Sequence, residues 1–205
     1  MHPLLSLITH INMIHPFLLL VSTVIGYTIG SIPSGFIFTR LSGLGDIRDI
    51  GSGNTGATNV LRTGNHKIAA YTFLCDTLKG LLVLIIFSNQ NEDLGIISAF
   101  FSFLGHVFPI WLRFKGGKGV ATYLGILIGI GLPYGLIFIL TWVLIALISR
   151  YSSLSSLIAV IVTLFIAFFH LSSIPLISIS LMSLIILFKH SPNIQRMHKG
   201  IENKI

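Results

Sequence analysis

The sequence predicts an all-α integral membrane protein, a bundle of seven transmembrane helices with the N-terminus outside and the C-terminus cytoplasmic. Three observations predict it. Only 9% of the 205 residues are charged and 53% are hydrophobic, whereas a soluble domain carries about 25% charged residues. Too few polar side chains remain to cover a water-facing surface. Long apolar blocks recur along the chain, whose mean hydropathy is +0.91. The basic residues gather between particular blocks and at the C-terminal end, as expected of cytoplasmic loops.

The N-terminal stretch has no basic n-region and no small-x-small site, so no cleaved signal peptide is expected. Met1 and Met13 are both candidate starts, because the membrane pattern begins at Ile14. The first three spans are expected at 17–39, 68–88 and 94–112. The next apolar run, 120–149, is interrupted by Gly131-Leu132-Pro133. As one straight helix it would measure about 45 Å at about 1.5 Å per residue, overshooting a hydrocarbon core of about 30 Å. Divided at Pro133 it gives spans at 120–132 and 134–149, followed by 154–169 and 174–188.

Charge supports the division. With seven spans, Arg40, Arg48, Arg62 and Lys67 fall in one inside loop (40–67), and Arg113, Lys115 and Lys118 in a second (113–119). Arg150 lies in a third, and Lys189, Arg196, Lys199 and Lys204 lie in the tail (189–205). The outside loops carry only Glu92 and Asp93. A single span over 120–149 would move Arg150 and the tail outside, against the positive-inside rule. The two short spans require local bilayer thinning or burial among neighbours. The whole chain, 1–205, reads as one domain, and its single Cys75 excludes an internal disulfide and suits packing.

The polar residues concentrate in three segments. Residues 46–62 hold Gly51, Gly53 and Gly56 in a G-x-G-x-x-G string, but a dinucleotide fold needs a strand before it and a βαβ unit around it. Its neighbours are apolar spans. What survives is anion chemistry: glycines such as Gly51 and Gly53 let backbone approach an anion, and helix N-termini attract phosphate. Ser52, Asn54, Thr55, Thr58 and Asn59 add hydrogen bonds, and Arg62 can grip phosphate bidentately. The competing reading is a hydrophilic loop with helix caps. In the second segment, Lys115, Gly116, Gly117 and Lys118 flank a helix start. Lys118 is followed by glycine, so this is no Walker loop, although phosphate neutralisation remains available. Topology alone would also explain Arg113 and Lys115, with Phe108, Trp111 and Phe114 as an aromatic belt. The tail offers His190 and Asn193 at the membrane edge, or a basic anchor for anionic lipid. His106 reads as a helix-end hydrogen-bonder, and Gly30 to Gly35 as a site of close helix approach. Asp76 and Lys79 stand three apart inside a span, where charges are costly unless paired or functional.

Gly30–Gly35, Gly51–Val60, Gly105–Pro109 with Lys115–Thr122, and the tail with His190, Asn193, Arg196, Gly200, Glu202 and Asn203 occur in the order and spacing of a known family. The chain resembles the bacterial acyl-phosphate:glycerol-3-phosphate acyltransferases, from about Gly26 to Lys204. An extra N-terminal dozen residues and a short end after Glu202 depart from the pattern.

The resemblance implies transfer of a fatty acyl group from acyl phosphate to the 1-hydroxyl of glycerol 3-phosphate, giving lysophosphatidic acid and inorganic phosphate at the start of phospholipid synthesis. It implies a multi-pass protein of the bacterial cytoplasmic (inner) membrane with its site on the cytoplasmic face. It places Ser52, Lys118, His190 and Asn193 in the catalytic centre with Arg62. Arg62 and Lys118 would bind phosphates, while Ser52, His190 and Asn193 orient the hydroxyl or support the oxyanion. His190 or a substrate phosphate oxygen would take the proton. No cofactor is expected, nor a metal, because no Cys/His/Glu cluster has metal spacing. The partners are the two substrates and membrane lipid, with no nucleic acid, and a separate soluble enzyme is a candidate supplier of acyl phosphate. The main alternative, a membrane transporter of a small organic phosphate, would place its site near the midplane and show internal symmetry. The sequence shows neither.

Overall fold

The computed structural model describes residues 14–205 and is helical, without strands among the described residues. The proposed start sites and the stretch before Ile14 lie outside the described residues. Helix α1 (Pro16–Gly30) begins on a proline, whose missing N–H is harmless in a first turn. After a break at Ser31–Pro33 the chain resumes as α2 (Ser34–Leu41), so the expected first span is two helices rather than one. Pro33 has no N–H with which to continue the helical ladder, and at the break the Ile32 carbonyl accepts from Ser34 N–H and from the ammonium of Lys79. The loop that follows contains a 3-10 turn (Ile47–Asp49) and the short helix α3 (Ala57–Leu61).

Helix α4 (His66–Ser88) is capped by Asn65, whose side-chain oxygen accepts from Ile68 N–H at 3.1 Å. Helix α5 (Glu92–Val107) is capped in the same way by Asn91, with Glu92 and Asp93 in the first turn, where the helix dipole favours anions. A second 3-10 turn (Ile110–Leu112) leads to α6 (Val120–Ile130) and α7 (Leu132–Ser149). The break at Gly131 and Pro133 therefore falls where the sequence placed it. Helices α8 (Ser152–His170), α9 (Ser173–Lys189) and α10 (Ser191–His198) complete the chain, with a bend of 46° between the last two.

Among the described residues, five helical stretches are long and apolar enough to cross a membrane, and six if the bent α9–α10 pair counts as one span. This differs from the seven expected. Helix α6 has 11 residues, about 16 Å at about 1.5 Å per residue, roughly half the hydrocarbon core. The tail, for which the sequence left open a basic anchor or a part in the site, forms α10 and an extended end that folds back, with Ile205 N–H donating to Arg150 carbonyl at 2.8 Å.

Helix α1 lies along α5, α4 runs beside both α5 and α6, and α7 pairs with α8, while α9 packs on α5 and α8. Glycines permit the closest approaches. A Cβ on Gly30 would stand 1.9 Å from Ser102 carbonyl oxygen, and one on Gly125 would stand 1.9 Å from that of Thr77. In membranes, where lipid is as apolar as leucine, such backbone proximity is the main source of helix adhesion. Phe103, Tyr123, Leu127, Ile179 and Met182 fill the centre, and Tyr123 hydroxyl meets Ser183 Oγ at 3.1 Å. Leu147, Ile148, Phe165 and Phe188 face outward. That apolar exterior is stable in lipid and would be costly in water.

Candidate active site

The loop 46–62 is organised by a buried amide. Asn59, only 2% exposed, donates through Nδ2 to the carbonyls of Ile47 (3.1 Å), Ile50 (2.8 Å) and Asn54 (2.9 Å). Its Oδ1 accepts from Ser52 N–H at 3.0 Å, Ser52 Oγ at 3.2 Å and Arg62 Nη1 at 3.2 Å. One side chain thus closes the loop and sets both Ser52 and Arg62. Gly51 is required beside it: its φ is +57°, and a Cβ there would stand 2.6 Å from Asn59 Oδ1 and 2.8 Å from Arg62 Cδ. Asp46 accepts from Arg48 through both carboxylate oxygens, at 2.9 and 2.6 Å, and this guanidinium holds the carboxyl well below its usual range.

The tail supplies the opposite wall. Glu202, with its side chain 3% exposed, accepts from Asn193 Nδ2 (2.5 Å), Ser153 Oγ (2.8 Å) and Arg196 Nε (2.7 Å). A carboxylate only accepts, so the Asn193 amide must turn its nitrogen to Glu202 and its oxygen the other way. That oxygen accepts from Lys118 Nζ at 2.5 Å. Burial opposes ionisation of Glu202, but the bonds from Asn193, Arg196 and Ser153 hold its carboxyl below its ordinary value. Burial, reinforced by Arg196 and Arg62, pushes the Lys118 ammonium down to about 8 against the pull of Glu202. His190 is 2% exposed, and burial together with Lys118 pushes it down to about 4, opposed by the Ile186 carbonyl and Glu202. That carbonyl lies 2.8 Å from His190 Nδ1. The proton therefore sits on Nδ1 of a neutral ring, leaving Nε2 as an acceptor.

Both walls border a cavity of about 580 Å³. Ser52, Asn54, Asn59, Arg62, Lys118, His190 and Asn193 all line it. Gly56 and Thr58 line it too, while Gly51, Gly53, Thr55, Lys115, Gly116 and Gly117 stand back from the wall. Gly51 and Gly53 (φ +69°) shape the loop, and Thr55 is buried with its carbonyl against Gly35. Lys115 is exposed. The amides of Gly116 and Gly117 are already donated to Val107 and His106 carbonyls, at 3.2 and 3.1 Å, so they are not free for an anion.

Sequence reasoning assigned no role to Ser152, Ser153 or Glu202, all on the wall. Glu202 is the one acid after Asp93, a signal that was available. Ser152 meets Thr58 at 3.2 Å between hydroxyls, joining α3 to α8 across 94 residues, and nothing local announces that contact.

At its loop end the cavity presents Arg62 and Lys118 against Glu202, which Arg196 already pairs, and this leaves a net positive field suited to phosphate. Away from the loops its wall is Phe73 of α4, Leu124 and Ile128 of α6, and Phe138, Ile139 and Trp142 of α7. Phe73 and Ile139 are also among the exposed large apolar side chains, as suits a wall open to lipid.

A helical membrane bundle with one cavity that is cationic at the loop end and apolar beyond it defines a class, membrane proteins that hold an anionic group and a hydrocarbon chain side by side. The chain belongs to the glycerol-3-phosphate acyltransferase family, whose description matches residues 20–200. It is 52% identical to the glycerol-3-phosphate acyltransferase of Bartonella henselae over 187 residues, covering 88% of this chain and 89% of that one. To the enzyme of Brucella anthropi it is 51% identical over 182 residues, covering 89% and 90%. Its structure is similar to that of PlsY, an integral membrane glycerol 3-phosphate acyltransferase, in the glycerol 3-phosphate form (TM-score 0.87, 34% identity, 91% of this chain and 95% of that one). The lysophosphatidic acid form of PlsY matches with a TM-score of 0.84 and 32% identity over the same shares. The protein is therefore an acyltransferase of glycerol 3-phosphate, and its apolar helices are those of an integral membrane protein.

Proposed function

We propose that the acyl donor is acyl phosphate and that the 1-hydroxyl of glycerol 3-phosphate attacks its carbonyl directly, giving lysophosphatidic acid and inorganic phosphate. The observation that carries this reading is the nature of the cationic end: it holds phosphate-binding groups but no activated nucleophile. Ser52 Oγ is bonded to Asn59 Oδ1 rather than to a histidine, so no acyl-enzyme chemistry is supported. A mixed anhydride needs none, because its phosphate is already a good leaving group. What remains is positioning and charge.

Arg62 and Lys118 hold phosphate oxygens. Ser52 and Asn193 orient the hydroxyl and support the developing oxyanion, and His190 Nε2 accepts from the hydroxyl. A ring pushed down to about 4 is a weaker base than a phosphate dianion, whose conjugate acid has a pKa near 6. The departing phosphate therefore takes the proton as the carbonyl carbon–oxygen bond to it breaks. The acyl chain lies along the apolar wall, entering from the bilayer, and a separate soluble enzyme supplies the donor. The basic loops and tail favour a site on the cytoplasmic face of the inner membrane, with α6 as a short crossing before α7, for seven spans in all.

The test uses the purified protein in lipid with palmitoyl phosphate and glycerol 3-phosphate, following inorganic phosphate. Release that depends on glycerol 3-phosphate, with lysophosphatidic acid accumulating, is expected. Ser52→Ala should abolish it, and Lys118→Ala should cut it sharply while leaving measurable turnover, in both cases without altering membrane insertion. Activity with acyl-CoA or acyl-carrier protein but not palmitoyl phosphate would overturn the donor assignment.

A further inference from the structure

A second group of charges lies beneath the loops, unused by the transfer chemistry. Asp76 and Lys79, both buried on α4, pair at 2.6 Å. Lys79 also donates to Ile32 carbonyl at the break between α1 and α2. On the other side, Asp76 Oδ1 lies 3.5 Å from Nδ1 of His106, in the last turn of α5. One carboxylate therefore joins the helix break that precedes loop 46–62 to the helix end that precedes loop 113–119.

His106 holds the second loop from two sides. Its carbonyl accepts the Gly117 N–H at 3.1 Å. Its ring lies so close under Gly117 that a Cβ there would stand 2.0 Å from Nε2. Gly117 immediately precedes Lys118, and both Asp76 and His106 reach the cavity wall. Bundle stability alone does not account for such a group, since a buried ion pair is often no more stabilising than an apolar pair of the same volume.

We propose that Asp76 and His106 are positioning residues for Lys118. The carboxylate fixes the imidazole, the imidazole sets the height of Gly117, and Gly117 fixes where the ammonium meets phosphate. This rests on the reading of Lys118 as a phosphate-holding cation. A displacement of about 1 Å in such a group is enough for a hundredfold effect.

The experiment measures KM for each substrate and kcat on the full chain in lipid. Asp76→Asn and His106→Ala should raise, tenfold or more, the same KM that Lys118→Ala raises, with a smaller change in kcat. His106→Gln, whose amide reaches the Nε2 position under Gly117, should recover more of that loss than His106→Asn, whose amide replaces only Nδ1. Wild-type KM values in folded Asp76→Asn and His106→Ala, with only thermal stability reduced, would overturn the inference. Should the single variants fail to fold, the charge-neutral pair Asp76→Asn with Lys79→Met decides: a raised KM upholds the positioning role and a wild-type KM overturns it. A Lys118→Ala variant with neither KM changed would sink the underlying reading of Lys118 instead.

Discussion

Removing the Glu202 side chain frees an amide that the structure holds in one orientation. With the carboxylate present, flipping Asn193 would set its oxygen against Glu202 and its nitrogen against Lys118, two repulsive contacts in place of two bonds of 2.5 Å. In Glu202→Ala only the Lys118 contact still opposes the flip, and the buried Asn193 nitrogen has no acceptor. A hydrogen bond to a charged group contributes about 1.5–3 kcal/mol, so loss of this one should lower kcat roughly 10- to 150-fold. Glu202→Gln separates orientation from charge. Its remaining oxygen can serve Asn193 and Ser153, and its nitrogen then faces Arg196, whose side chain is 31% exposed and can turn to water. That contact is discounted to about 1 kcal/mol or less, a loss of about fivefold at most. The assay is phosphate release in lipid, with thermal unfolding followed in parallel. Equal loss in the glutamine and alanine variants would refute the reasoning, because charge rather than the Asn193 orientation would then be what matters.

The low pKa of Lys118 gives a pH signature. If Lys118 holds phosphate as proposed, it does so protonated; the empty site titrates near 8, so KM for that phosphate should be flat well below pH 8. Above it, KM should climb by up to tenfold per pH unit, and Lys118→Arg should flatten that climb over pH 7–9.5. Asn59→Asp turns a donor to three carbonyls into an acceptor facing acceptors. We expect loss of loop order and of all phosphate release, with the helical circular dichroism retained. Gly30→Val drives a side chain into Ser102 backbone and should cost about 1–3 kcal/mol or more in thermal denaturation. Gly129→Ala meets only flexible side-chain ends, Leu84 Cδ2 at 3.1 Å and Leu81 Cδ1 at 3.3 Å, and should cost less than about 1 kcal/mol.

How much of this was legible in the sequence depended on the range of the interactions involved. Spans 68–88 and 154–169 were readable to within about two residues of α4 and α8, because apolar length is a local property. The break at Gly131 and Pro133 was readable for the same reason. Pro33 was equally visible, but whether the chain continues beyond it depends on Lys79 reaching Ile32 from another helix. The family resemblance named Ser52, Arg62, Lys118, His190 and Asn193 as central, and all five line one cavity. It could not say that Asn59 would be consumed inside its own loop, nor that the Gly116 and Gly117 amides would be spent on α5. The first is set by how loop 46–62 closes on itself, and the second by where the end of α5 lies. Glu202 was noted as part of a pattern, and its purpose emerged only when the tail was seen to fold back on Ser153.

The apolar wall between α4 and α7 has a kinetic consequence. A chain that slides in through Phe73 and Ile139 arrives from two dimensions, so the relevant concentration of an acyl donor is its mole fraction in the leaflet and not its molarity in the flask. Diluting the bilayer with inert lipid at constant total donor should slow the reaction, whereas diluting the whole vesicle suspension should leave the turnover of each enzyme molecule nearly unchanged while glycerol 3-phosphate is saturating.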